Sequence, residues 1–277
     1  MFDLIEIAAS NGKVLEHRFK LLKSNMAPDT AVSLQSFADF VFSDGRVAMN
    51  MRPMPLMSFL VFGLHQNLYE WARARAEESS RPVEDLIRER LGDYYSRRTT
   101  FDRHFKNGEA LRYGALNAGG LGVRLYGDYC VVLHIRQFEQ SNVVAYLRSD
   151  SLKTYLLPSG LVDDASLQRD ATPHSHRHIF AAIKYEPKIT PSAEVLWPTL
   201  LCSDADFIEA VFLAQVTPVE VESIRIEKRQ YQELFHYAYQ NLREKLTDER
   251  RNLVEAFVLI KRLMRQNNIP LEVTDNA

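Results

Sequence analysis

The chain has 277 residues, of which 46% are hydrophobic and 25% are charged, so it is long enough to bury a core without disulfides. Its formal net charge of -2 excludes a strong overall positive field for binding nucleic acid. No apolar run is long enough to span a membrane, and no secretory signal is visible at the amino terminus. We therefore expect a cytoplasmic protein that does not contact membranes.

Residues 1–107 are predicted to form a helical amino-terminal region. In the stretch LMSFLVFGLHQNLYEW, apolar residues from Leu56 to Trp71 recur at helical spacing. Pro82 stands where a further helix begins, and Gly92 where that helix ends. Near the end of the region, Arg98 and His104 have the loose spacing found in a class of helical ribonucleases. Both residue types are common in helices, so an ordinary helix is the simpler interpretation.

Residues 108–227 are predicted to form a sheet, because short β-rich runs alternate with Gly, Pro, Ser and Asp clusters. The runs are YCVVLHI, NVVAYLR, HIFAAIKY, FIEAVFL and VESIRI. The expected fold class is therefore α+β.

Five of the 11 glycines lie between residues 113 and 133. No Lys-Ser or Lys-Thr pair follows them, and an apolar strand follows where a phosphate-binding helix would begin. These glycines therefore belong to strands and turns. They serve either hairpin turns or the close approach of a ligand to the backbone.

Residues 228–277 are predicted to form a long carboxyl-terminal helix with an interrupted apolar stripe. The stripe consists of Phe235, Leu242, Leu246, Leu253, Phe257 and Ile260. Between Arg225 and Arg265 there are ten Lys or Arg residues and six Asp or Glu residues. A solvated helix face explains this surplus, and an RNA, DNA or acidic protein partner is the alternative.

The segment PHSHRHIF places His174, His176 and His178 at alternate positions. On an extended strand the three rings face one side and form a candidate zinc site. Same-face positions on a strand are about 6.5 to 7 Å apart, which is wide for one ion, so a polar loop or plain surface histidines are the alternatives. Cys130 and Cys202 have no metal-binding spacing, so we predict two buried thiols.

Glu209 stands between Ile208 and Ala210 in an apolar, strand-like run. A carboxylate in this setting must reach solvent, pair with a cation or take part in chemistry. By itself the pattern favours a solvent-facing strand glutamate.

Taken together, three blocks resemble the bacterial ADP-ribosyltransferase toxin fold. The first is RYGALN, Arg112 to Asn117, followed by YGDYCVVL. The second is VVAYLRSDSL, Val143 to Leu152, and the third is DADFIEAVFLAQVTPVEVESI, which begins at Asp204. The resemblance covers about 115 of the 277 residues. It implies a split mixed β-sheet core of ADP-ribosyltransferase type over 108–227.

The resemblance also implies roles for individual residues. Glu209 matches the catalytic glutamate. Tyr113 and the bare backbone of Gly114 match the pair that holds the nicotinamide amide of NAD, and Ser149 or Ser151 matches a hydroxyl that lines the nicotinamide pocket. The complete set of expected NAD-binding residues is Arg112, Tyr113, Gly114, Asn117, Ser149 and Ser151, with Arg124, Arg148 or the histidine segment as candidates to face the pyrophosphate.

The chain departs from the family pattern in having no clear Arg-Ser-Glu or His-Tyr-Glu set. Phe207 stands two positions before Glu209, where these enzymes often carry Glu or Gln. The acceptor of ADP-ribose, protein or nucleic acid, therefore stays open.

The resulting hypothesis is an NAD-dependent ADP-ribosyltransferase that acts as a bacterial toxin or defence effector on a macromolecular acceptor. Its helical amino-terminal region would gate the pocket, bind the target or bind an antitoxin. One alternative is a non-enzymatic interaction protein built on the same scaffold. Another is a zinc hydrolase or nuclease that uses His174, His176 and His178.

Overall fold

The computed structural model describes residues 2–139, 143–190, 194–239 and 246–275. The helices are α1 (Leu4–Ser10), α2 (Gly12–Ser24), α3 (Pro28–Asp44), α4 (Pro53–Phe62), α5 (Leu68–Ser79), α6 (Val83–Leu91), α7 (Tyr95–His104), α8 (Arg136–Glu139), α9 (Ser151–Thr154), α10 (Asp164–Asp170), α11 (Arg177–Tyr185), α12 (Trp197–Leu201), α13 (Lys228–Tyr239) and α14 (Asp248–Gln266). The strands are β1 (Arg46–Met51), β2 (Arg112–Asn117), β3 (Tyr129–Leu133), β4 (Val144–Leu147), β5 (Thr172–Pro173), β6 (Glu209–Phe212), β7 (Val221–Glu227) and β8 (Leu271–Thr274).

The strands form one sheet in the order β5-β4-β6-β2-β1-β3-β7-β8. Neighbouring strands are antiparallel except β7 and β8, which are parallel. The chain is therefore an α+β protein with a mixed sheet and many helices, which confirms the expected fold class. Within the described ranges, no helix combines the length and the apolar composition needed to cross a bilayer.

Strand β1 lies in the interior of the sheet, between β2 and β3. The first 107 residues are mostly helical, but they also supply this strand, so position 107 does not separate a helical region from the sheet. The strand was not predicted because the segment RVAMNM is short and contains Ala and Met, which have no strong preference for strands. Burial between two neighbouring strands decides its conformation.

The two faces of the sheet are covered by different helices. One face belongs to the larger core, in which Leu116 of β2 and Ala210 of β6 pack with apolar residues from α3, α4, α11 and α14. The other face packs against α1, α7 and α10, and Val211 of β6 belongs to it. Because side chains alternate along a strand, Tyr113 and Glu209 lie on this second face, which we call the α7 face.

The segment HIFAAIKY forms helix α11, so the prediction of a strand there was wrong. Phe180, Ala181 and Tyr185 are buried in the larger core at helical spacing. Arg177, at the start of α11, donates to the carbonyl of Phe42 near the end of α3 at 2.7 Å. The apolar run fits both the two-residue period of a strand and the 3.6-residue period of a helix. Packing against α3 selects the helix.

In the described residues of the carboxyl-terminal part, α13 and α14 are not continuous, because residues 246–247 are not helical, and strand β8 follows α14. Lys261 of α14 lies 3.4 Å from the hydroxyl of Tyr231 on α13, so the two helices pack side by side. Of the predicted stripe, Phe257 and Ile260 are buried, whereas Phe235 and Leu253 are exposed. Leu242 lies outside the described residues.

Candidate functional site

Glu209 is the first residue of β6, and its side chain lies on the α7 face. Its register partners are Ala115 on β2 and Leu147 on β4, so two strands flank it. The residue is only 7% exposed. Oε2 accepts a 2.9 Å hydrogen bond from the backbone amide of Ser151, whereas Oε1 has no hydrogen-bond partner among the described residues. One oxygen is therefore held in place and the other is available to a ligand.

Burial raises the pKa of Glu209 from 4.5 to about 7, because the apolar surroundings disfavour its charged form. The negative charge of Asp150 raises the pKa further. Hydrogen bonding from Ser151 and the positive charge of Arg98 lower it. Near neutral pH both the carboxylate and the carboxylic acid are therefore populated, as a group that works in chemistry at this pH requires.

Arg98 of α7 stacks on Tyr113, a neighbour of Glu209 in the sheet. Its guanidinium carbon is 3.3 Å from the ring centroid of Tyr113, and Tyr113 is a diagonal neighbour of Glu209 on the next strand. Nε of Arg98 donates to Asp102 at 3.0 Å. Among the described residues, neither Nη atom of Arg98 has a hydrogen-bond partner.

Asp102, one turn after Arg98, ties this part of the site together. It accepts hydrogen bonds from the hydroxyls of Tyr113 and Tyr69, the second at 3.0 Å. Burial raises the pKa of Asp102, while Arg98 and the two hydroxyls lower it. Asp102 therefore links α5, α7 and β2 and fixes the position of the guanidinium.

On the other side of Glu209 are Asp150 and Tyr126. Asp150 precedes α9 and accepts from the amide of Leu152 at 3.0 Å. Burial raises the pKa of Tyr126, and the negative charge of Asp150 raises it further. Tyr126 is half exposed. It packs against buried Phe207 with ring centroids 6.5 Å apart. An exposed aromatic ring thus lies at the edge of the site.

The structure brings three of the predicted site residues together: Glu209, Tyr113 and Ser151. Ser149 lies half-buried in the turn before α9. Arg112 is buried elsewhere, where it forms an ion pair with Glu70 of α5 at 2.7 Å.

Asn117 lies at the far end of β2 and donates to the carbonyl of Gly120 at 2.8 Å. Arg112 and Asn117 therefore hold β2 to its neighbours and do not line the surroundings of Glu209.

Gly114 does not have the open backbone that the resemblance implied. It is the register partner of Ala210, inside a strand that is paired on both sides. Its missing side chain would point to the face opposite Glu209, and a Cβ there would lie 2.6 Å from the carbonyl oxygen of Ala48. Glycine is needed at this position because β1 approaches closely, so the space beside Gly114 is filled by the sheet itself.

The three histidines are not on a strand, and their rings have three different partners. Pro173 is followed by a helical turn that leads into α11. Nδ1 of His174 lies 3.0 Å from the hydroxyl of Tyr146, and Nε2 of His176 lies 3.0 Å from Glu16. The ring of His178 packs on Phe42. Across the described ranges, no group of three or more side chains is arranged to hold a metal ion.

Arg98 and His104, which have the ribonuclease-like spacing, do not form one site either. Residues six apart on a helix lie on different faces. His104 pairs with Asp164 at 2.6 Å, far from the partners of Arg98. Arg124, a candidate for the pyrophosphate, forms an ion pair with Glu227 at 2.8 Å.

The glycine stretch forms a loop arranged around Asn50 of β1. The amide of Asn50 donates to the carbonyls of Leu121 and Gly127, each at 2.9 Å. Its side-chain oxygen accepts from the amide of Val123 at 2.8 Å. Gly122 has a positive φ of 70°, and a Cβ there would collide with Asn50. The glycines of this loop therefore serve a turn that fits closely around Asn50.

Sequence reasoning missed Asp102, Asp150, Tyr126 and the role of Arg98 at this site. Arg98 and Asp102 are spaced four residues apart on a helix, which is the spacing of an ion pair. That signal was present, but nothing in the sequence connected α7 with β6. In comparisons with known proteins, no family model matches the chain and no curated protein is significantly similar to it.

Proposed function

We propose that the protein is an NAD-dependent ADP-ribosyltransferase in which Glu209 is the catalytic residue. The observation that supports this proposal best is the state of the Glu209 carboxyl group. It is buried at the head of a strand beside Tyr113, with one oxygen held by the amide of Ser151 and the other without a partner in the described part of the chain. An oriented carboxylate with a pKa of about 7 is suited to both charge stabilisation and proton transfer.

The residues around Glu209 fit the chemistry of this ligand in two respects. The free Oε1 accepts a hydrogen bond from a sugar hydroxyl. The half-exposed ring of Tyr126 offers a flat surface for a planar group. When bound, NAD supplies the bond between nicotinamide and ribose, whose cleavage develops positive charge on the sugar.

The charges of the site favour such a cation. Asp102 is paired with Arg98 at 3.0 Å and Asp150 with Lys153 at 3.4 Å, so Glu209 is the carboxylate of the site that a developing cation meets. An ionised Glu209 therefore adds negative charge where the sugar becomes positive, and the fixed amide of Ser151 keeps the carboxylate from turning away. Preorganised electrostatic contributions of this kind are worth about 3 to 4 kcal/mol for one group.

The position two residues before Glu209 is apolar in three dimensions as well. Phe207 is 6% exposed and packs with Ala115, Val123 and Cys202. No polar side chain at this position orients an acceptor, so Glu209 itself is the residue that accepts a proton from the acceptor in our proposal. We include the role of a cytoplasmic toxin or defence effector, with a macromolecular acceptor and an antitoxin as partners, in the same proposal.

The test is incubation of the purified protein with adenylate-labelled NAD and a cell lysate, followed by separation of protein, RNA and DNA. We expect label in one fraction and release of nicotinamide. Glu209→Gln should lower both by at least about a hundredfold. The matched control is Glu255→Gln, which alters an exposed glutamate on α14 and should label normally. Equal labelling by the wild type and Glu209→Gln would overturn the proposal.

A further inference from the structure

The charged and titratable groups facing Glu209 come from five places in the fold. Helix α7 contributes Arg98, with Asp102 behind it, and strand β2 contributes Tyr113. The start of α9 contributes Asp150, and the loop before β3 contributes Tyr126. Tyr155, after α9, also faces it. Among the described groups, Arg98 is the cation with the largest effect on Glu209.

The side chain of Arg98 is mostly buried and is held by a stacking contact and a hydrogen bond. Its side chain is 17% exposed and the carboxylate of Asp102 is 1% exposed. The stack on Tyr113 fixes the plane of the guanidinium, and the Nε bond to Asp102 fixes its rotation in that plane. Asp102 is itself fixed by the hydroxyls of Tyr69 and Tyr113.

This arrangement leaves both Nη atoms of Arg98 without a hydrogen-bond partner among the described residues. Glu209 is likewise unpaired at Oε1. Arg98 and Glu209 form no direct ion pair with each other; Arg98 is anchored through Nε on Asp102 and stacks on Tyr113, the diagonal neighbour of Glu209. Such an arrangement places positive charge near the carboxylate while leaving its reactive oxygen open.

We propose that Arg98 is a positioning residue for Glu209. Because Arg98 is anchored on Tyr113 and Asp102, it keeps Glu209 ionised, so that a carboxylate faces the substrate. The catalytic consequence rests on the proposed function, but the charge relationship between the two residues does not. In the sequence, Arg98 was notable only for its ribonuclease-like spacing from His104. In the folded chain, Arg98 joins the amino-terminal part to the surroundings of Glu209.

The test is titration of the Glu209 carboxyl carbon by NMR, with the resonance assigned from its absence in Glu209→Gln. We expect a midpoint near 7 in the wild type. In Arg98→Gln the midpoint should rise by about one pH unit, because an opposite charge nearby lowers a carboxyl pKa by about 1 to 3 units. The matched control is Arg103→Gln on the same helix, where the side chain is 62% exposed, and it should keep the wild-type midpoint.

A measurement on the wild type covers the case in which Arg98→Gln does not fold. The guanidinium nitrogen resonances of Arg98 should shift with the same midpoint as the Glu209 carboxyl. Nitrogen resonances that do not respond over that pH range would overturn the proposal, as would an unchanged carboxyl midpoint in folded Arg98→Gln.

Activity provides a second readout. If the transferase proposal holds, kcat/KM of Arg98→Gln near pH 7 should be about fivefold below that of the wild type, because a smaller fraction of Glu209 is ionised. At higher pH both the ionised fraction and kcat/KM should recover. A merely structural role would lower kcat/KM equally at all pH values. An inactive wild type would overturn the proposed function, and the NMR titration would still decide the role of Arg98.

Discussion

The backbone amide of Ser151 donates a 2.9 Å hydrogen bond to Oε2 of Glu209, across 58 residues of sequence. The bond joins the start of α9 to the head of β6 and fixes a buried carboxyl group whose other oxygen has no hydrogen-bond partner among the described residues. The free energy of the folded chain therefore depends on the charge of this one side chain, and so does the proposed activity.

Glu209→Gln should stabilise the protein at alkaline pH. The pKa of Glu209 is raised in the folded state, from 4.5 to about 7, so the folded protein holds the proton more tightly than the unfolded chain does. The wild type has this stabilisation in full below the unfolded pKa and loses it as the pH rises through the folded pKa. Glutamine mimics the protonated form at every pH.

The advantage of Glu209→Gln in free energy of unfolding should therefore grow between about pH 4.5 and about pH 7, by up to about 3 kcal/mol. Urea unfolding at a series of pH values measures it. Glu255→Gln serves as the control and should differ from the wild type by a constant amount. A difference for Glu209→Gln that does not vary with pH would show that Glu209 titrates normally.

The proposed activity should fall on the acid side. Because the ionised carboxylate is the active form, kcat/KM for NAD should decrease below about pH 7, and each further unit should cost about tenfold. The midpoint reports the pKa of the free enzyme, so it should agree with the pH at which the stability advantage of Glu209→Gln levels off. A profile that stays flat down to about pH 5 would contradict the assignment of Glu209 as the titrating group.

Asp102→Ala should strongly destabilise the protein. The substitution leaves the Arg98 guanidinium without its buried counter-ion and removes the acceptor of two tyrosine hydroxyls. We expect a loss of about 3 to 5 kcal/mol in free energy of unfolding. Tyr69→Phe should cost less, about 1 to 3 kcal/mol, because one hydrogen bond is lost.

Asp164→Ala is the control for this comparison. It removes a partly exposed carboxylate that pairs with His104, so the cost should be below about 1 kcal/mol. Chemical denaturation of the three variants ranks them. An Asp102→Ala variant as stable as Asp164→Ala would mean that Asp102 does not anchor Arg98.

Asn50→Ala should loosen the glycine loop, which also carries Tyr126. The change leaves two carbonyls and one amide without their side-chain partner, so we expect a loss of about 2 to 3 kcal/mol. Amide hydrogen exchange should increase most at Val123. Replacement of the exposed Asn25 by alanine is the control and should leave exchange in this loop unchanged.

Gly114→Val should disrupt the sheet rather than a cofactor pocket. The added side chain meets the carbonyl of Ala48, and β1 is the strand that would have to move. We expect a loss of at least about 1 to 3 kcal/mol. Thermal unfolding measures the cost, and unchanged stability would restore the earlier prediction that the space beside Gly114 is open for a ligand.

The local pattern of the sequence was sufficient for the elements whose neighbours do not alter their preference. Strands β3, β4, β6 and β7 and the amphipathic helices could be predicted because apolar alternation and turn residues act over a few positions. Glu209 was notable for the same reason, as an acidic residue inside an apolar run.

Tertiary packing decided the rest. Strand β1 exists because β2 and β3 bury it, and α11 is helical because α3 covers one of its faces. Gly114 is a glycine because β1 approaches it. The pattern of neighbouring residues in the sequence does not predict these contacts. The site around Glu209 combines α7, β2, α9 and β6, which are distant in sequence, so only the folded chain brings Arg98, Ser151 and Glu209 into one electrostatic environment.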